Sequence, residues 1–325
     1  MEKFDVVIIG AGPAGLSATK ILGDGRKRVL LIERNPKIGP KICAGGLIFK
    51  DFELGIPTSL IERAFYSIKI HCSNKTSEVK RGKPLIATID RERLGQWMAN
   101  EIKKDVKIRL NSEVIGIKNN SLVLKDGQEI GFDYLIGADG SLSLVRRHLN
   151  LPTGKVFLAM QYVVPKVFSD LEIFFNKDLF GSGYAWIFPY RNYTSIGCGA
   201  DLKSQKSKNL FANFQQWLKE KKIDFSQAKL QTFPINFDYQ GFNFGNKFLV
   251  GDAGGFASGL TGEGIYFAIV SGQEIARKIL DLNYNLSNLR KILKIKKYQK
   301  TLGRFLMFKV LRSKILTRYS FRRFF

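Results

Sequence analysis

Apolar and polar positions divide this chain into segments of two kinds. Phe4 to Ile9 is apolar apart from Asp5, the pattern of a strand buried in a parallel sheet, and Leu16 to Leu22 carries the spacing of a helix packed on it. Arg28 to Ile32 predicts a second strand, ending at Glu33. Short strands follow at Ser67 to Cys72, Thr76 to Lys80, Lys83 to Ile89, Val106 to Leu110, Glu113 to Lys118 and Leu122 to Lys125, with Asp90 as the N-cap of a helix reaching about Lys103. After Gly154 the chain is rich in Phe, Tyr, Val and Ile at strand spacing, broken by a helix near Lys208 to Lys221. A strand at Lys247 to Val250 and a helix from Gly264 or Ile265 to about Asp281 complete the series.

Glycines mark the functional turns. Gly10, Gly12 and Gly15 lie between the first strand and the first helix, where they suit a tight bend, close backbone approach to a pyrophosphate, and close packing of helix on strand. Glu33 stands where an acid must lie to accept hydrogen bonds from an adenosine ribose. A second glycine segment, Gly251 to Gly255 followed by Gly262 and Gly264, again joins a strand to a helix. No internal repeat or low-complexity linker separates these segments, so interleaved domains are expected. The fold predicted is α/β: a Rossmann-like nucleotide-binding domain from residues 1–50, 85–150 and 245–285, an inserted antiparallel-sheet α+β domain from 51–84 and 151–244, and a basic helical tail at 286–325.

Composition changes the picture at one end. Of the net charge of +24, more than half lies in the last 36 residues, where thirteen Lys and Arg stand between Arg290 and Arg323 and no acid follows Leu282. Ile292, Leu293, Leu302, Phe305 and Phe325 are among the bulky apolar residues between them. Two readings stand open, an amphipathic helix on an anionic membrane surface and a solvated helical tail. Nucleic acid is not an expected partner, since no zinc, RRM or KH signature accompanies the charge. No metal site is expected either: His71 and His148 are the only histidines, and neither lies in a ligand cluster.

Cys43, Cys72 and Cys198 form no CxxC pair or disulfide framework, which points to a reducing cytosolic setting. The start of the chain shows no export signal, and no stretch of about 18 residues stays apolar enough to span a bilayer. The expected location is cytoplasmic, peripheral on the inner face of the cell membrane.

The two glycine segments in this order resemble the FAD-dependent oxidoreductases with a glutathione-reductase-like cofactor fold. That resemblance implies that Asp252 holds the ribityl chain and that backbone at Gly264 and Ile265 faces the pyrimidine side of the flavin. The stretch from Tyr134 through Asp139 and Gly140 to Arg147 resembles the DG motif of the hydroxylase-like branch, and Arg91 resembles that branch's cofactor-contacting arginine. The FAD contacts so implied are Gly10, Gly12, Ala14, Gly15, Glu33, Cys43, Ala44, Gly46, Arg91, Val114, Asp139, Asp252, Gly262, Gly264 and Ile265.

Two further segments resemble the geranylgeranyl reductase family. One runs from Gly39 through Cys43 to Gly46; the other carries Tyr184, Trp186, Phe188 and Pro189, then Gly197 and Gly199. The resemblance implies reduction of carbon–carbon double bonds in a polyprenyl lipid, with Tyr184, Trp186, Phe188, Pro189, Gly197 and Gly199 binding the chain and Cys43 beside the flavin. Alternate aromatics on a strand make an apolar wall, and the same residues would equally fill a core. Cys43 is open to two roles, proton delivery or the packing of a small buried side chain. A monooxygenase of an apolar substrate is the nearest rival, although Gly254 and Gly255 stand where that branch usually has histidine. An electron-relay flavoprotein at the membrane is the third. The electron donor is a ferredoxin, a quinol or NAD(P)H.

Overall fold

The apolar run that opens the chain becomes a central strand: Val6, Val7 and Ile8 are fully buried. A computed structural model describes residues 1–48, 54–72, 75–204 and 206–308. In chain order the elements are β1 (Glu2–Ile9), α1 (Pro13–Asp24), β2 (Val29–Ile32), β3 (Gly46–Ile48), β4 (Ile61–Phe65), β5 (Ser67–Cys72), β6 (Lys75–Lys80), β7 (Ile86–Ile89), α2 (Arg91–Asn100), β8 (Lys107–Arg109), β9 (Val114–Ile117), β10 (Ser121–Leu124), β11 (Glu129–Gly137) and α3 (Leu144–His148). They continue as β12 (Val156–Val164), β13 (Glu172–Phe175), α4 (Lys177–Phe180), β14 (Tyr184–Pro189), β15 (Thr194–Asp201), α5 (Ser207–Glu220), β16 (Gln231–Asn236), β17 (Asn243–Phe244), β18 (Lys247–Leu249), α6 (Ile265–Leu280) and α7 (Ser287–Phe308).

The chain divides into two compact units. The first comprises Met1–Lys41, Arg91–Gly154 and Asn236–Lys297. Its sheet runs β17-β18-β11-β1-β2-β8, with parallel pairing from β18 through β11, β1 and β2 to β8. Val7, Ile9, Leu30, Ile32, Leu135 and Leu249 pack on one another and on Leu122, Leu124 and Val145. Pro13 opens α1 at a position where a missing N–H is harmless.

The second unit comprises Ile42–Asp90, Lys155–Ile235 and the chain from Tyr298. Its larger sheet, β16-β12-β15-β14-β13-β5-β6, is antiparallel from β12 to β13 and from β5 to β6, and β13 pairs with β5 in parallel. Alternation along β14 sends Ala185 and Ile187 toward α5, where Phe214 and Trp217 cover them, and sends Trp186 and Phe188 into a second cluster with Ile70, Leu85 and Ile173. A small sheet, β3-β7-β4, contributes Phe65 and Ile86 to that second cluster. β3 and β7 are hydrogen-bonded to each other, and both lie in this unit.

The basic tail begins as part of the first unit's core. Leu289 and Ile292 are each only 1% exposed, so Ile292 is unavailable to a lipid surface, contrary to its sequence reading. Glu274, fully buried on α6, accepts the backbone N–H groups of Asn288 and Leu289 and so caps the start of α7. Residues 309–325 of the expected tail, and the side chains of Lys300 and residues 302–308, lie outside the described residues. Among the described residues no helix is long and apolar enough to cross a membrane.

Candidate functional site

The first glycine turn is built by contact distances. Gly10 has φ of +102°, and a Cβ there would lie 2.5 Å from the Ala138 carbonyl oxygen. A Cβ on Gly15 would lie 1.9 Å from the Gly10 oxygen, so α1 rests directly on the end of β1. Gly12, the N-cap of α1, differs: a Cβ there would meet nothing within 4 Å. No side chain caps this helix and no acid lies in its first turn, so its amides face open space with their partial positive charge. Glu33, at the carboxyl end of β2, accepts the Ala11 amide at 2.8 Å on Oε2 and the Asn35 amide at 3.0 Å on Oε1. The acid is thereby fixed beside the turn.

The second segment repeats the design. It follows β18, parallel with β1 through β11, so α1 and α6 both start at the carboxyl edge of one sheet. The N-cap of α6 is Gly264, again with no side-chain cap and no acid in the first turn; Gly262 has φ of +67°, and Ile265 is buried. The two helices pack through small residues, for a Cβ on Gly272 would lie 2.2 Å from the Ala14 oxygen. Asp252, its side chain 10% exposed, accepts from Lys41 Nζ at 3.2 Å and lies 3.4 Å from Ser141 Oγ; Asn236 Nδ2 donates to its carbonyl at 2.8 Å.

Arg91 opens α2, held against the segment Ile38–Lys41 by a close approach of backbones: a Cβ on Gly95 would lie 2.4 Å from Gly39 Cα. Gln96 Nε2 fastens the same contact by donating to the Ile38 carbonyl at 2.6 Å. The buried Nε of Arg91 has no hydrogen-bond partner among the described residues. Such a donor calls for an acceptor from a ligand.

Asp139 accepts the Leu144 and Val145 amides on Oδ2, at 2.6 and 3.2 Å, and its buried Oδ1 has no partner among the described residues. Burial raises its carboxyl above the ordinary range, opposed by the Ser143 hydroxyl and those amides. Val114 begins β9, half-buried against the first unit's core. Two uncapped helix starts, an open space at Gly12, an unpartnered guanidinium nitrogen and two carboxylates able to accept hydroxyl groups fit a flavin dinucleotide.

The remaining predicted residues meet in the second unit. Trp186 and Phe188 are 4% and 7% exposed, while Tyr184, Ala44, Ile48, Ala159 and Phe175 form the half-buried edge of their cluster. Gly197 pairs directly with Trp186 across the sheet, and a Cβ on it would lie 2.2 Å from the indole ring; a Cβ on Gly199 would lie 2.1 Å from Phe157. These glycines therefore admit the rings that form the wall, and Pro189 closes the strand. The Trp186 Nε1–H donates to Ser195 Oγ at 3.1 Å, which bonds Gln161 Oε1 at 3.0 Å, so the indole is oriented from behind. Gly46 lies against Phe188, the Tyr190 hydroxyl donates to the Ala44 carbonyl at 2.9 Å, and Cys43 Sγ, half-buried, accepts the Gly45 amide at 3.3 Å.

Sequence reasoning passed over Lys41, Ser141, Asn236 and Lys296. Lys41 and Ser141 lie inside motif segments, where a polar residue at a glycine turn was a usable signal. Asn236 and Lys296 had none: Lys296 Nζ donates to the Phe237 and Ala257 carbonyls at 3.0 and 2.5 Å, bracing the second glycine segment from α7.

A family model described as pyridine nucleotide-disulphide oxidoreductase matches residues 4–155. An uncharacterized protein of Methanosarcina barkeri is 30% identical over 294 residues, covering 86% of this chain and 75% of its own length. The geranylgeranyl diphosphate reductase of Rhodobacter capsulatus is 26% identical over 299 residues, 84% of this chain and 74% of that one. Among solved structures, a geranylgeranyl bacteriochlorophyll reductase-like protein from Thermoplasma acidophilum superposes with a TM-score of 0.77 at 21% identity, covering 92% of this chain and 84% of that one; this likeness speaks to fold alone.

Proposed function

This chain belongs to the FAD-dependent oxidoreductases, with geranylgeranyl reductases among its homologues, and from that premise we propose that it reduces carbon–carbon double bonds of a polyprenyl lipid. The observation that carries the substrate class is the character of the Tyr184 to Pro189 face. The Trp186 N–H is engaged by Ser195 and the Tyr190 hydroxyl by backbone carbonyls; Trp186 and Phe188 are packed inside the cluster, so the apolar surface it offers is its half-buried edge at Tyr184, Ala44, Ile48, Ala159 and Phe175. Such a face suits a hydrocarbon chain, which gains by leaving water and has no polar groups to satisfy.

When bound and in its two-electron-reduced form, the flavin would supply a hydride to one alkene carbon and end oxidised. The residues of the chain have the other tasks. The amides of α1 would receive the pyrophosphate, Glu33 would accept from the ribose, Asp252 would accept from the ribityl hydroxyls, and the start of α6 would favour negative charge on the ring. Arg91 offers its unpartnered Nε to the cofactor. Cys43 is the candidate to deliver the proton to the second carbon.

The membrane belongs to the same proposal. Arg290, Lys291, Lys294 and Lys297 are exposed at helical spacing on α7, with Tyr298 54% exposed beside them, while Leu289 and Ile292 face the core. A cationic stripe with an aromatic on a firmly docked helix suits the anionic inner face of the cell membrane.

The test is anaerobic: chemically reduced, FAD-loaded protein is mixed with polyprenyl lipids and the flavin spectrum is followed. Substrate-dependent reoxidation is expected, slowed at least tenfold by Cys43→Ala with FAD binding retained. Oxygen incorporation into the lipid under air, with no reoxidation in its absence, would replace the reductase reading by the monooxygenase one.

A further inference from the structure

We propose that Lys41 is a positioning residue that sets the reduction potential of the bound flavin. The inference rests on FAD as cofactor and is independent of which lipid is reduced. Lys41 reaches the cofactor site along a path with little freedom. Two residues before it, Gly39 is pressed on Gly95 of α2, and Ile38 is tied to Gln96. Its ammonium then meets Asp252 Oδ2 at 3.2 Å, on a carboxylate that is itself held, with Ser141 Oγ at 3.4 Å on the same oxygen. Ser141 Oγ accepts the buried Asn236 amide at 3.0 Å, and Asn236 Nδ2 returns to the Asp252 carbonyl. The ion pair is therefore part of a closed polar frame, with the two side chains 31% and 10% exposed.

The other carboxylate oxygen points toward the start of α6. A Cβ on Gly264 would lie 3.4 Å from Asp252 Oδ1. No acid lies in the first turn of this helix and no side chain caps it, so two positive features, the α6 amides and the Lys41 ammonium, flank Asp252, with Glu263 immediately before the N-cap. The charge balance explains the arrangement. A flavin dinucleotide carries an anionic pyrophosphate, and its ring gains negative character on two-electron reduction, so a lone carboxylate against it would favour the oxidised form. Lys41 cancels that charge, and with the flavin held over Asp252 its cation would stabilise the reduced form more than the oxidised one.

The experiment measures the two-electron midpoint potential of the FAD-loaded protein by reduction against indicator dyes, with the dissociation constant of oxidised FAD measured alongside. Lys41→Met and Lys41→Gln are each expected to weaken reduced FAD about tenfold relative to oxidised FAD, which lowers the midpoint by about 30 mV. Lys41→Arg should restore most of it. Equal weakening of both redox forms, leaving the potential of the two neutral variants at the parent value, would overturn the proposal, as would an arginine variant as low as they are. Parent protein that purifies without a flavin spectrum and fails to take up added FAD would instead strike the cofactor assignment itself, and this proposal with it.

Discussion

Arg146 is a cation with 1% of its surface exposed, and its environment explains why it is tolerated. Its guanidinium donates to the carbonyls of Pro152, Ala253 and Asp238, joining the DG segment to the second glycine segment. Burial lowers its pKa and the Asp238 charge opposes that fall. Replacing it by methionine removes the cation from beside Asp238 and should destabilise the protein by about 3 kcal/mol or more, measured by denaturant unfolding. Cysteine chemistry gives a second residue-scale test. Burial pushes the Cys72 thiol up to about 11 and raises Cys198 as well, and both side chains are buried. A thiol reagent at neutral pH should modify Cys43 alone in the native protein and all three cysteines after unfolding. Gly10, Gly12 and Gly15 were legible because a strand, a turn, a helix and an acid must occur in that order to hold a pyrophosphate. Gly197 was legible as a position but not as a cause, since only the cross-strand pairing with Trp186 shows which ring it admits. Gly197→Ala should cost about 1–3 kcal/mol by overpacking and shift the tryptophan emission.

At the scale of elements, periodicity placed β1, β5 and α5 within a residue or two of where they lie, because each has one face or two against a core. The short strands β3 and β4 escaped it. They are too brief to show alternation, and their pairing with β7 depends on chain brought from elsewhere. The basic tail was legible only in part, for a related reason. Composition averages over a helix and hides that Leu289 and Ile292 fall on one stripe and the exposed cations on another. Two truncations separate these faces. Ending the chain at residue 308 should leave FAD binding intact, whereas ending it at 286 removes Leu289, Ile292 and the Lys296 brace and should lose bound FAD, as read by the flavin absorbance of the purified protein.

At the scale of the whole molecule, charge governs how the protein meets its surroundings. If the exposed cations of α7 engage anionic lipid at about 1 kcal/mol each, binding to phosphatidylserine vesicles should be strong at low salt and lost as salt rises, with neutral vesicles unbound throughout. Stability should follow a different group of charges. Hydrogen bonds from Lys107 to Glu2, Lys118 to Glu129 and Lys69 to Asp170 hold those carboxyls below their ordinary range. Their contribution is present above about pH 4 and disappears as pH falls through the lowered values, each by a small amount because the pairs are open to solvent. Asp139 acts in the opposite sense: its raised carboxyl stabilises the fold when protonated and weakens it as pH rises through its folded value.

Saturation of polyprenyl chains by this flavoprotein is the proposed reaction, and its product can be weighed. Mass spectrometry of a geranylgeranyl lipid after anaerobic incubation with the reduced, FAD-loaded protein tests it most directly. The expected product carries two added hydrogen atoms for each double bond reduced, and repeating the incubation in deuterated water should label the protonated carbon. Recovery of the lipid unchanged, from protein whose flavin is bound and fully reduced, would contradict the account.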